Sequence, residues 1–197
     1  MVTREKCSTE SSETLAGELS TSALALLAML SEKEMTGYQI KKMVDNPELI
    51  YWRDSFGSIY PNLSKLTKMG LTEKNRRDFK GRKRIFYSIT SLGRSVVESW
   101  LRKPATKKPV KVELLFKLRF AHSMGVDVLG DLIGEYRDYH LKSLADLYET
   151  LQIFDGSRDE DLQREVRRMT VDFWYRFTKT IVEWCDSTLD RLEEYDS

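Results

Sequence analysis

One stretch of the chain breaks the helical periodicity that the rest follows. Leu71 to Phe79 and Lys83 to Thr90 are extended-type segments joined by Lys80-Gly81-Arg82. In the second, Ile85, Tyr87 and Ile89 alternate with Phe86, Ser88 and Thr90, the period of two expected of a strand with distinct faces. Gly81 supplies the tight turn of a hairpin. Between Lys65 and Arg84 stand nine basic residues and two acidic ones. Such density on a folded surface either attracts polyanions or is a merely solvated charged face.

The flanking segments read as helices. Residues 1–18 are rich in Ser, Thr and Glu and read as a mobile arm. From Leu19 the positions of Leu24, Leu27, Ala28 and Leu30 indicate a helix with Ser20 or Thr21 as N-cap. Thr36-Gly37-Tyr38-Gln39 has the form of a capping box that opens a second helix, whose apolar face is Ile40, Met43 and Val44. Asn46-Pro47 ends it. A third helix runs from Gly57-Ser58 to Met69-Gly70, with Pro61 in its first turn and Gly70 as its stop. Ile59, Leu63, Leu66 and Gly70 form its inner side, and Ser58, Pro61, Ser64, Lys65 and Lys68 its outer side, with Tyr60 and Asn62 on the flanks. After the hairpin, Thr90 or Ser91 caps a fourth helix whose stripe is Leu92, Val96, Val97, Trp100 and Leu101.

Three helices, a basic hairpin and a following helix form a winged helix-turn-helix, an arrangement that reads DNA. Its third helix fits the major groove, and its hairpin supplies phosphate contacts from Arg76, Arg77, Lys80, Arg82 and Lys83. A winged helix used only for protein contact, with the basic residues idle, is the competing reading.

Specific strings narrow this further. Met35-Thr36-Gly37-Tyr38-Gln39-Ile40, Tyr51-Trp52, Gly57-Ser58-Ile59-Tyr60-Pro61-Asn62-Leu63, Gly70-Leu71 and Gly81-Arg82-Lys83-Arg84-Ile85-Phe86-Tyr87-Ser88-Ile89-Thr90-Ser91-Leu92-Gly93 stand in order across residues 20–102. In this the chain resembles the PadR family of bacterial transcriptional regulators, in its long variety with an all-helical C-terminus. The resemblance implies a homodimer on inverted-repeat operators, commonly a repressor of genes for detoxification, drug efflux or phenolic-acid metabolism. It implies that Tyr38, Ser58, Tyr60, Asn62 and Lys65 lie at or beside the recognition surface, and Gly81 and Arg82 in the wing.

The net charge of +1 conceals an asymmetry. Residues 1–104 hold 18 basic against 12 acidic side chains, whereas residues 105–197 hold 14 against 19. The second half reads as three helices: Val112 to Ser123, closed by Gly125; Val126 to Phe154; and a long helix to Tyr195 opened by a capping box at Ser157-Arg158-Asp159-Glu160. Along the last, Leu162, Val166, Met169, Phe173, Phe177, Ile181, Trp184 and Leu192 recur at three- and four-residue steps. A helix of this length needs a long partner, either its own neighbour or a second chain. Two-fold operators favour a second chain, so Leu115, Phe116, Phe173, Phe177, Ile181, Trp184 and Leu192 are candidates for dimerisation. Trp100, Tyr136, His140 and Trp174 are candidates for stacking against a small aromatic effector, although such residues are more often core.

The expected fold is thus mainly α. A winged helix-turn-helix with a two-stranded wing at 19–104 is followed by an all-α dimerisation domain at 105–197. His122 and His140 lie on helix stripes, and no phosphate-binding glycine loop or metal pair stands beside them, so neither catalysis nor a cofactor or metal is expected. Cys7 and Cys185 read as reduced thiols, and no apolar run approaches the roughly 20 residues of a membrane span. A cytoplasmic protein is the expectation.

Overall fold

The computed structural model describes residues 12–46, 49, 59–79, 82–105, 111–155 and 161–195. It divides into two units, Met1–Lys107 and Lys108–Ser197.

In the first unit, residues 12–18 form helix α1. Ser12, Ala16 and Leu19 are buried there, and Leu15 packs against the core. This corrects the expected mobile arm for its described part: three apolar side chains at helical spacing dock on the core despite the polar composition around them. Residues 1–11 lie outside the described residues. Helix α2 (Thr21–Glu32) is capped by Ser20, whose hydroxyl accepts from the Ala23 amide at 3.2 Å. It buries Ala23, Leu24, Leu26, Leu27, Met29 and Leu30, and a helix apolar on most sides belongs at the centre of its domain. Strand β1 (Met35–Thr36) comes next, too short for any alternation to reveal it. Thr36 then caps α3 (Gly37–Val44): it accepts from the Gln39 amide at 3.2 Å while the Gln39 side chain accepts from the Thr36 amide at 2.8 Å. Pro47 lies outside the described residues.

Helix α4 (Ile59–Lys68) buries Ile59, Leu63 and Leu66. It ends in a Schellman turn, with the Leu71 amide donating to Leu66 and the Gly70 amide to Thr67, which requires Gly70 at φ +69°. Strands β2 (Thr72–Phe79) and β3 (Arg82–Ile89) pair antiparallel, and β1 adds to β3 through Met35↔Tyr87 and Thr36↔Phe86. The two-stranded wing is therefore part of a three-stranded sheet of order β1-β3-β2. Thr90 is the N-cap of α5 (Ser91–Leu101). Its hydroxyl accepts from the Gly93 amide at 3.1 Å and donates to Gly70 O at 2.8 Å, and its amide donates to Leu71 O at 3.1 Å. The buried face of α5 is Gly93, Val96 and Val97, with Trp100 packed against the core. Leu92 and Leu101, expected on that stripe, are exposed, because the four-residue step from Gly93 to Val97 centres the buried face between them.

The second unit comprises α6 (Glu113–Ala121), a 3₁₀ turn (His122–Met124) ended by Gly125 at φ +105°, α7 (Val126–Asp155) and α8 (Leu162–Glu193). Helices α7 and α8 pair antiparallel. Arg137 bonds Asp186, and the Tyr148 and Tyr175 rings lie 6.1 Å apart. Arg164 donates to the carbonyls of Phe154 at 2.8 Å and Ile153 at 3.0 Å. The long helix thus has its own neighbour as partner. Its cap is Asp161, which accepts from the Gln163 amide; the capping box expected at 157–160 lies outside the described residues. At 32 residues and about 1.5 Å per residue it spans roughly 48 Å. Val171, Thr178, Val182 and Cys185 are its buried residues. The stripe read from sequence faces elsewhere.

His140 stands between Tyr136 and Tyr139, with ring centroids at 4.4 and 5.2 Å, and burial lowers its pKa from 6.5. The native unit therefore takes up this proton less readily than the unfolded chain. Above pH ~6.5 both states are neutral and His140 leaves stability unchanged; as pH falls below that value the unfolded state is protonated first and stability is lost. The expected outcome is a thermal midpoint that falls more steeply between about pH 7 and pH 5 in the wild type than in His140→Phe. Parallel profiles would contradict it.

Gly37 and Gly93 both sit in close contacts, of different kinds. A Cβ at Gly93 would stand 2.3 Å from the Leu71 carbonyl oxygen, a backbone atom held by the Thr90 amide. A Cβ at Gly37 would stand 2.5 Å from the edge of the Tyr60 ring, whose exposed side chain is free to swing. Gly93→Ala should cost about 3 kcal/mol by overpacking, whereas Gly37→Ala should leave stability within about 1 kcal/mol. Chemical denaturation of the two variants measures the difference.

Candidate nucleic-acid interface

The outward side of α4 is made by residues that have no place in the core. Tyr60, Pro61, Lys65 and Lys68 are exposed, and Asn62 and Ser64 are half-buried. The Tyr60 ring lies against Gly37 at the start of α3, where a larger residue would push it away. Tyr38, beside Gly37, is 71% exposed. The α3 start and the outer side of α4 therefore form one surface with two aromatic rings on it.

The sheet extends that surface on one face only. Cross-strand partners share a face, so the register Lys74↔Tyr87, Arg76↔Ile85 and Asp78↔Lys83 puts Lys74, Arg76 and Lys83 with Tyr87. Tyr87 is buried in one core with Ile59, Leu63 and Leu66 of α4, which places this face beside that helix, and burial, then the neighbouring Tyr60, raises its pKa. The Lys74 ammonium lies 5.7 Å from the Tyr87 ring centroid. Lys65, Lys68, Arg76 and Lys83 form no ion pair with any described residue. Their charge is free to meet an anion.

Arg77 differs. It lies on the opposite face with Phe86 and is paired with Glu34. Ser58, Lys80 and Gly81 lie outside the described residues; Arg82 begins β3. Sequence reasoning missed Lys74 and Gly37 as members of the surface. The two-residue step from Arg76 marks Lys74, but only the packed Tyr60 ring reveals Gly37.

In the second unit the candidates separate. Leu115, Phe116, Phe173, Phe177 and Trp184 are exposed, and Ile181 and Leu192 are half-buried. Phe173 and Phe177 stack with centroids 6.2 Å apart. Tyr136 and His140 are adjacent, and Tyr136 lines an open groove of about 330 Å³ between α6 and α7 with Leu114, Lys117, Leu132 and Tyr139. Trp174 instead packs against Leu147, Leu151, Phe154 and Val171. The α7–α8 register sets it roughly 13 Å along the pair from His140. Trp100 packs on the first unit's core, so the four residues proposed for one effector site are not brought together by either unit. No helix among the described residues is long and apolar enough to cross a membrane.

Comparison with known proteins agrees with the architecture in both units. Residues 26–99 match the model of the transcriptional regulator PadR-like family, and residues 110–193 match that of the virulence activator alpha C-terminal domain. The negative transcriptional regulator PadR of Bacillus subtilis is 29% identical over 133 residues, covering 64% of this chain and 72% of that protein. Its structure in complex with operator DNA superposes with a TM-score of 0.73 at 22% identity, over 86% of this chain and 98% of the other. The virulence activator AphA of Vibrio cholerae gives 0.71 at 24% identity, over 89% and 99%. A second B. subtilis PadR structure, in complex with p-coumaric acid, gives 0.68 at 22%, over 86% and 97%. With the wing, the Gly37–Tyr60 contact and the long C-terminal hairpin all in the places these matches span, the chain belongs to the PadR-like family of transcriptional regulators.

Proposed function

We propose that this chain is a cytoplasmic, homodimeric, sequence-specific DNA-binding regulator that represses from an inverted-repeat operator. The observation that carries the reading is the continuity of one cationic surface from Lys65 and Lys68 on α4, past Tyr60 and Tyr87, to Lys74, Arg76 and Lys83 on the wing. The B. subtilis PadR structure with operator DNA supports it. In this reading α4 enters the major groove, about 12 Å wide, with Tyr60, Pro61, Asn62 and Ser64 nearest the base edges. The wing cations neutralise flanking phosphates, and each releases counterions worth a log–log salt slope of roughly −0.9.

The two-fold partner is a second copy joined through the second unit. Helix α8 buries one apolar stripe against α7 and leaves a second, Leu162, Val166, Met169, Phe173, Phe177 and Trp184, in solvent. An apolar row of this length on a water-facing helix is the mark of an interface. Small aromatic acids are the proposed effectors, supported by the PadR complex with p-coumaric acid. The groove at Tyr136 offers Leu114, Leu132 and the tyrosine rings to an aromatic ring, and its Lys117, paired with Glu113 at 2.8 Å, would have to exchange that carboxylate for the ligand's.

Anisotropy titrations of duplex DNA at several salt concentrations test the core of this reading. Lys65→Ala should change the preference for operator over random duplex, whereas Arg76→Ala should weaken all duplexes alike and flatten the slope by about 0.9. Phe173→Glu with Phe177→Glu should give a helical monomer by light scattering and at least a tenfold loss of operator affinity. Binding without salt dependence, or none at low salt, would instead support the protein-contact module. Titration of p-coumaric acid should quench Trp fluorescence and shift operator affinity with one midpoint. Absence of coupling removes the effector assignment.

A further inference from the structure

Arg77 is set apart from the other wing cations by where it stands and what it touches. The register Arg77↔Arg84 and Asn75↔Phe86 places it on the sheet face opposite Lys74, Arg76 and Lys83. Glu34, the residue before β1, reaches that same face, two positions before Thr36, which pairs with Phe86. The two side chains meet as a fork on a carboxylate: Nη1 donates to Oε1, and Nη2 donates to Oε2 at 2.9 Å. The guanidinium carbon also lies 5.5 Å from the Phe86 ring centroid, a second contact on the same face of the sheet. The partners are 43 residues apart in sequence. Strand β1 reaches along β3 only to Phe86, and the Thr90 junction fixes only the base of the hairpin, so among the described residues the strands beyond Phe86 have no backbone bond to the rest of the unit.

We infer that Arg77 is a positioning residue: its bond to Glu34 clamps the wing to the turn between α2 and α3, so that Lys74, Arg76 and Lys83 are presented at a fixed angle beside α4. The inference rests on the proposed DNA binding for its consequence, though not for the clamp itself. The charge of Arg77 is neutralised within the chain by the Glu34 carboxylate. Arg77 therefore releases no counterion on binding, unlike Arg76.

Sign decides between a clamp and a phosphate contact. If Arg77 served a phosphate, Arg77→Ala would flatten the salt slope by about 0.9 and Glu34→Ala, which removes a competing anion, would tighten binding. The clamp requires the opposite. Arg77→Ala and Glu34→Ala should each weaken duplex binding by roughly fivefold with the slope unchanged, and the exchanged pair Glu34→Arg/Arg77→Glu should recover most of it. Hydrogen exchange of the free protein gives a readout without DNA. Amides of β2 and β3 should exchange roughly three- to fivefold faster in either single variant, and no faster in the double alanine variant than in the singles. Additive exchange effects, or tighter binding by Glu34→Ala, overturn the clamp. Coupled exchange in a protein that binds no duplex at low salt would uphold the clamp and overturn the DNA-binding reading instead.

Discussion

The first unit depends on how the end of α4 is tied to the wing and to α5. The Schellman turn at Gly70 stops the helix, and the Thr90 side chain and amide then bind the carbonyls of Gly70 and Leu71. Because Thr90 also caps α5, one residue joins the last turn of α4, the end of β3 and the first turn of the next helix. Gly93 lets α5 close on this junction, with no side chain between it and the Leu71 carbonyl. Helix and wing are thereby held in one frame, which the proposed function requires if α4 and the wing cations are to act on the same duplex.

Much of this was legible in the sequence. Alternation in Ile85, Tyr87 and Ile89 marked the hairpin, and Thr36 with Gln39 marked the start of α3, because local hydrogen bonds leave local signatures. The long-range part escaped. A two-residue strand has no period to detect, and the burial of Ala16 and Leu19 depends on a core contributed from elsewhere in the chain. The candidate site divides in the same way. Basic density located the wing, but density does not say on which face a cation lies, and the separation of Arg76 from Arg77 comes only from the register with β3. Likewise the four aromatic candidates for an effector shared a composition, not a location.

The second unit shows how a helix with two apolar faces misleads a one-dimensional reading. Phe173, Phe177 and Trp184 dominate any count of periodic apolar residues on α8, yet its fully buried residues are Val171, Thr178, Val182 and Cys185, with Trp174 and Tyr175 packed beside Val171 on the α7 side. Burial raises the Cys185 thiol pKa, in keeping with its place in that seam. The bulkier row is left for another surface.

Arg164 ties the end of α7 to the start of α8. The closing carbonyls of α7, at Ile153 and Phe154, are bonded by a guanidinium from the first turn of α8. The same guanidinium, with that of Arg167, also covers the Phe154 ring. Helix termination is thus supplied from across the hairpin. Because the bonded carbonyls lie ten and eleven residues before Arg164, the two rods are pinned in register at the very end where a helical hairpin would otherwise fray.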